Sequence, residues 1–260
     1  MWRLGTVPYL NALPLVEGLR EVSGLSLVEE LPTRLAPLLR SGELDLALVS
    51  SVELFRTPAL GWISGPAITS NGPVASILLY LRVPVGSVRR LALDTSSLSA
   101  AAMAQVCLHN FLGVSAPELL PAPPDRALDE IPGDAILRIG DPALRTQPGP
   151  FQVLDLGAVW TEYTGLPFVY ALWLTRPDLD SEKLTPILKS AADLGTSRRH
   201  VLADRFADNH AMDRQSCRNY LDHNIGYTLG DRELEGLRTY GRLAHQLGLV
   251  DVPDLPAVVS

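Results

Sequence analysis

The chain has 260 residues, 47% of them apolar and 6% aromatic, which suits a globular protein of two ordinary lobes and excludes a disordered or fibrous chain. A net charge of −7 argues against nucleic acid as a partner, because neutralising phosphates takes clustered Lys and Arg. Two cysteines, Cys107 and Cys217, cannot build a disulfide framework and read as small buried residues in a reducing compartment.

Residues 3–7 read as a strand, not as the basic, apolar and cleavage regions of a signal peptide. No apolar run approaches the roughly 20 residues of a membrane helix. The expectation is therefore a cytoplasmic protein with no membrane partner. The polar turn Pro8-Tyr9-Leu10-Asn11 follows, then a helix over 13–19 with Pro14 in its first turn. A second strand is expected at 25–31, and Thr33 is placed to cap a helix ending at Gly42. Residues 45–49 form a compact apolar run of buried-strand type. Ser50 and Glu53 then stand at capping-box spacing.

The same grammar returns further on. A strand at 90–93 leads into the polar turn Asp94-Thr95-Ser96-Ser97 and a long apolar helix over 98–112 that stops at Gly113. A strand at 119–120, a short helix at 125–130 and a strand at 135–139 precede the turn Gly140-Asp141. The segment 133–137 echoes 42–48, which supports two βαβ-type lobes. Residues 62–83 carry the chain out of the first lobe, and the strand-like run 168–174 carries it back. The expected division is 1–83 plus 176–260 for the first lobe and 84–175 for the second, with a two-stranded hinge that permits closure around a ligand. After Arg176 the chain reads as helices, the last with Leu234, Leu237, Tyr240, Ala244 and Leu247 on one stripe ending at Gly248.

In open α/β sheets, ligands sit beyond the carboxyl ends of strands, where helix N-termini point. That rule selects four turns: 9–11, 50–51, 95–99 and 140–141. Three carry hydroxyl or amide side chains, and unpaired N–H groups at helix starts favour carboxylates. Two facing lobes would give two anion sites, so a rigid dicarboxylate is the expected ligand. Such side chains also serve as plain helix caps, and only the set of four favours a site. No GxGxxG, Walker A, HExxH or GxSxG sequence occurs. His109, His200, His210, His223 and His245 lie away from the four turns, and His210, Cys217 and His223 lack metal-ligand spacing, so no metal is expected. Asp94 and Asp141 are the carboxylates at these turns, read chiefly as organisers of local hydrogen bonds.

The turns carry a resemblance. Residues 7–15, Val-Pro-Tyr-Leu-Asn-Ala-Leu-Pro-Leu, resemble the N-terminal signature of the MqnA family, the chorismate dehydratases of the futalosine route to menaquinone. Val49-Ser50-Ser51-Val52-Glu53, Gly72-Pro73-Val74-Ala75-Ser76, residues 93–99, residues 139–144 and Trp160 through Ala171 continue the pattern in order. The resemblance implies an α/β, two-lobed fold of type II periplasmic-binding-protein kind, with a ligand cleft between the lobes and a helical C-terminal region. It also implies a cofactor-independent hydro-lyase that converts chorismate to 3-[(1-carboxyvinyl)oxy]benzoate. Ala100 departs from the pattern, since the family often has a second hydroxyl after the position of Ser99.

On this reading the protein must chiefly fix one substrate conformer and stabilise the departing hydroxyl. The turns are short of protein bases, so the substrate's enolpyruvyl carboxylate is the expected proton acceptor, with Asn11 as the catalytic residue that orients it. Ser51, Ser97 and Ser99 are expected to contact carboxylate or hydroxyl groups, with Ser76 a further contact. Gly140 would admit close backbone approach, Asp141 would order its turn, and Tyr9 and Trp160 would form apolar walls. Two rival readings are a non-catalytic small-carboxylate binding protein on the same fold and the sibling dihydroxynaphthoate-forming enzyme of the same pathway. The sibling is expected to use a histidine near the cleft, and no cleft turn has one.

Overall fold

The computed structural model describes residues 1–94, 96–177, 179, 182–256 and 258. Strands β1 (Trp2–Thr6), β2 (Leu25–Glu29), β3 (Leu46–Ser50) and β4 (Gly61–Ser70) come first. Then follow β5 (Ile77–Leu81), β6 (Arg90–Asp94), β7 (Glu118–Ala122), β8 (Ala135–Ile139) and β9 (Gln152–Asp155), and finally β10 (Phe168–Thr175) and β11 (Gly226–Thr228). They build a six-stranded sheet in the order β11-β4-β10-β3-β1-β2 and a five-stranded sheet in the order β7-β6-β8-β5-β9. In the first, β1 is parallel to β2 and β3, while β10 runs antiparallel between β3 and β4. In the second, β6 is parallel to β7 and β8, while β5 runs antiparallel between β8 and β9. Every residue of β3 and β8 is buried, as expected of strands covered on both faces.

Helices α1 (Leu13–Val16), α2 (Pro32–Arg40) and α3 (Glu53–Arg56) follow the first three strands. Helices α4 (Leu98–Val106), α5 (Gly140–Arg145) and α6 (Leu156–Thr164) belong to the middle of the chain. Helices α7 (Leu184–Ser197), α8 (Arg199–His210), α9 (Arg214–Asn219) and α10 (Asp231–Gln246) make the helical C-terminal region. Among the described residues no helix is long and apolar enough to cross a membrane.

Several local expectations change. The helix expected over 13–19 is only the four-residue α1, with 3-10 turns on either side at Leu10–Ala12 and Glu17–Leu19. Helix α7 lies directly on this segment: a Cβ at Gly195 would come within 1.9 Å of the Pro14 carbonyl oxygen. Tertiary packing outweighs helix propensity there. Thr33 is not a cap, because α2 begins at Pro32 with Leu31 before it. The capping box at Ser50 and Glu53 does not form either. Ser50 is still the last residue of β3, α3 begins after Val52 with no side-chain cap, and the buried Glu53 carboxylate turns instead to Arg40 Nη1 at 2.8 Å. The long helix at 98–112 is α4 followed by a π-helical turn, Cys107–Phe111.

The chain passes between the sheets twice, from β4 to β5 and from α6 to β10. Asp155, which caps α6 by accepting from Ala158 N, also accepts from Val74 N at 3.0 Å and Ala75 N at 2.7 Å. Thr161 Oγ1 accepts from Gly72 N at 2.9 Å. One carboxylate and one hydroxyl thus tie the outward passage to α6, just before the return passage.

Candidate active site

Each of the four polar turns leaves the carboxyl end of a strand: β1 runs into 9–11, β3 into 51, β6 into 96–99 and β8 into 140–141. They meet. A small cavity of about 70 Å³ between the sheets is lined by Tyr9, Asn11, Ser50, Ser76, Ser97 and Gly140, with Tyr170 and apolar residues such as Val7, Ile68 and Ile139 completing it. Thr95, part of the third turn, lies outside the described residues. Ligand pockets for small molecules usually span about 300–1,000 Å³, so this arrangement is a closed one that must open to admit a substrate.

What closes it is visible in the hydrogen bonds. Leu10 N donates to Asp141 Oδ1 at 3.2 Å, joining the turn after β1 to the turn after β8. Tyr9 packs on Gly140, whose φ of +60° suits glycine; a Cβ there would sit 3.7 Å from the Tyr9 ring. Ser51 Oγ donates to Val169 O at 2.7 Å, which uses its one proton. Its contact with Ser99 Oγ at 3.3 Å is therefore donated by Ser99, and Ser99 Oγ in turn accepts from Val52 N at 3.0 Å. Tyr240 Oη adds a bond to Ser99 O at 3.2 Å.

Ser97 is the N-cap of α4, with its Oγ accepting from Ala100 N at 3.3 Å, so its own proton is free to donate into the cavity. Ser76 Oγ accepts from Tyr220 Oη at 2.8 Å, and Asn11 Nδ2 donates to the same phenol oxygen at 3.2 Å. Asn11 Oδ1 is buried without a partner. Asp94 sits behind this wall. Its Oδ1 accepts from Ser96 N at 2.8 Å and from the Ser96 hydroxyl, while Oδ2 has no partner.

Burial dominates the electrostatics. Desolvation raises the Asp94 carboxyl above its ordinary range, with the Ser96 hydrogen bonds and Arg138 pulling the other way. Desolvation pushes Asp141 up to about 6, opposed by the Leu10 N–H and by Arg145 and His210. Tyr9 is raised as well, by burial first. No lysine or arginine occurs among the described residues lining the cavity, so an anion there would rely on N–H and hydroxyl donors.

The menaquinone biosynthesis protein family matches residues 2–246, nearly the whole chain. This chain belongs to that family. Among curated proteins, this family member is 28% identical to a chorismate dehydratase of Thermus thermophilus, over 96% of each chain. It is 25% identical to a chorismate dehydratase of Campylobacter jejuni, over 94% of this chain and 98% of the other. Among solved structures it resembles a protein from Archaeoglobus fulgidus, with TM-score 0.76, 16% identity and coverage of 95% of this chain and 98% of the other. It also resembles the alkanesulfonate-binding protein SsuA of Xanthomonas axonopodis, with TM-score 0.70, 15% identity and coverage of 98% and 95%. At these identities the structural likeness shows the fold alone, and the fold is that of the periplasmic binding proteins.

Within this family member, then, Tyr9, Asn11, Ser76, Ser97 and Gly140 come together on the cavity. Ser51 and Ser99 lie beside it, but their hydroxyls are committed to each other and to the backbone instead of facing it. Asp141 also lies outside the lining and holds Leu10. Trp160 is not a wall. It is fully buried in an aromatic cluster with Phe168, Tyr240 and Phe111, and its indole N–H donates to Pro167 O at 3.3 Å. Its position on α6, packed against Tyr240 of α10, keeps it out of the cavity lining and explains the difference. Tyr220 and Tyr170 are the residues that the sequence did not single out. Tyr220 comes from a C-terminal π-helical turn, Tyr220–Asn224, and an aromatic in a helical stretch reads as core. Tyr170, within β10, shares a 2.8 Å hydrogen bond with Ser70 and presents its ring to the cavity.

Proposed function

We propose that this protein is a chorismate dehydratase, a hydro-lyase that removes water from chorismate to give 3-[(1-carboxyvinyl)oxy]benzoate in menaquinone biosynthesis. The observation that carries this reading is the meeting of the turns after β1, β6 and β8 on one donor-lined cavity, in a chain similar along nearly its whole length to two chorismate dehydratases.

The reaction breaks a ring C–H and the neighbouring C–O bond. The C–H electron pair becomes a ring double bond, the C–O pair leaves with oxygen, and the abstracted proton ends on that oxygen as water. No net oxidation occurs and aromatisation drives the loss, so the chemistry asks for positioning and charge stabilisation rather than for a redox cofactor. Asn11 orients the reacting part of the substrate, and Ser97, Ser76 and the turn at Gly140 supply donors. Asn11 has no basicity at neutral pH, so the substrate's enolpyruvyl carboxylate is the proton acceptor. Ser51 and Ser99 reach the ligand only if opening of the cleft separates them. The division into lobes at 1–83 with 176–260 and at 84–175 is kept as part of this proposal, with its bounds moved at both passages, because β5 pairs in the second sheet and β10 in the first. The enzyme works in the cytoplasm on a free small dicarboxylate, without nucleic acid or membrane partners.

The test is to incubate purified protein with chorismate, without added metal or nucleotide, and to follow the aromatic enol ether by absorbance and mass. Conversion supports the reading. Unchanged chorismate that nevertheless raises the melting temperature would replace it with a non-catalytic small-carboxylate binding protein.

A further inference from the structure

The Asn11–Tyr220–Ser76 chain fixes which atoms face the ligand. Tyr220 is 3% exposed and stands at the start of the π-helical turn that follows α9, a geometry frequent at functional sites. Its hydroxyl is shared by two side chains of the cavity wall that come from opposite sheets: Asn11, after β1, and Ser76, just before β5. A phenol oxygen has a single proton. Given to Ser76 Oγ at 2.8 Å, it leaves Tyr220 Oη as an acceptor towards Asn11, which must then turn its NH2 group, at 3.2 Å, to the phenol. Two consequences follow. Asn11 Oδ1 is the buried atom without a partner, an acceptor in need of a donor. Ser76 already accepts from Tyr220, so its own proton is available to the cavity.

An acceptor and a donor side by side match a group that both gives and takes a hydrogen bond. A carboxylate only accepts, and it would be repelled by Asn11 Oδ1. A hydroxyl fits both. Resting on the chorismate reading, we infer that Tyr220 is a positioning residue that holds Asn11 and Ser76 as the receptor for the substrate's ring hydroxyl, the leaving group. Asn11 Oδ1 takes the hydroxyl proton in a hydrogen bond and fixes the C–O direction. Ser76 donates to the oxygen as negative charge develops on it, and the Tyr220 proton behind Ser76 polarises that donor further. The substrate carboxylates are left to Ser97 and the turn at Gly140.

The decisive variant is Tyr220→Phe, which removes one oxygen and keeps the ring. Two ligands separate the outcomes: chorismate, which bears the ring hydroxyl, and the enol-ether product, which lacks it. In the variant kcat for chorismate should fall at least about tenfold. The Kd of the product should stay within about twofold of wild type, since no hydroxyl is there to be held. Ser76→Ala should show the same split, and melting curves of both variants report whether they fold. Equal weakening of chorismate and product would overturn the proposal, because it would mean that Tyr220 shapes the pocket generally or that the chain runs with the opposite polarity and presents the Asn11 NH2 group to a carboxylate. An unchanged kcat in a folded Tyr220→Phe would overturn it as well. Wild-type protein that neither converts chorismate nor binds the product would defeat the chorismate reading itself, a result visible before any variant is made.

Discussion

Replacing Asp141 by Asn tests the closed arrangement through its pH dependence. Asp141 is 6% exposed and is pushed by burial from an ordinary 3.8 to about 6, even though it accepts from Leu10 N. A carboxyl whose folded pKa is raised contributes stability that is fully present below the unfolded value and is lost as pH rises through the folded one. The window is therefore pH 3.8 to about 6. At about 1.36 kcal/mol for each tenfold change in proton affinity, the cost above that window is about 3 kcal/mol as an upper figure. Arg145 and His210 already oppose the shift within that value. The Asn side chain keeps an oxygen for Leu10 N and carries no charge, so Asp141→Asn should equal wild type near pH 4 and exceed it by about 1–3 kcal/mol at pH 7.5. Urea unfolding of both proteins at intervals from pH 4 to 7.5 measures the difference directly. A gap that stays constant across that range, or that favours wild type at pH 7.5, would show that the buried Asp141 carboxylate carries no such cost.

Further outcomes follow from the same geometry. Asn11→Ala should keep the melting temperature within a few degrees and lower kcat by about a hundredfold, read from the rate of enol-ether formation; turnover at the normal rate would remove Asn11 from the mechanism. Ser99→Ala takes the partner from Val52 N and the donor from Ser51, so it should cost about 1–2 kcal/mol in urea unfolding and enlarge the radius of gyration of the ligand-free protein in solution scattering. Trp160→Ala empties a fully buried aromatic site and should cost about 3–5 kcal/mol in urea unfolding.

The convergence of the turns was legible because strand ends obey a simple rule. Short apolar runs such as 45–49 and 135–139 mark buried strands, and the polar residues just after them must lie at the same edge of the sheet. Two things were not legible. Which hydroxyls face the cavity depends on side-chain direction and on competing partners: Ser97 is free to donate inward, while Ser51, after β3 of the other sheet, spends its proton on Val169 O. Long-range closure was also hidden, since Tyr220 meets Asn11 across 209 positions of sequence and no local pattern encodes that contact. The failed capping box at Ser50 makes the same point, for Glu53 had the right spacing but found Arg40 first. Strand β9 went unread because 147–155 mixes Pro, Gly and apolar residues without a clear period.

The most direct test is a crystal structure of Asn11→Ala with chorismate. The ligand should lie between the two sheets, its carboxylates within hydrogen-bond reach of Ser97 and the turn at Gly140 and its ring hydroxyl against Ser76. Chorismate held instead in the surface depression beside Arg126, Arg138 and Arg145, where the arginines gather, would contradict it.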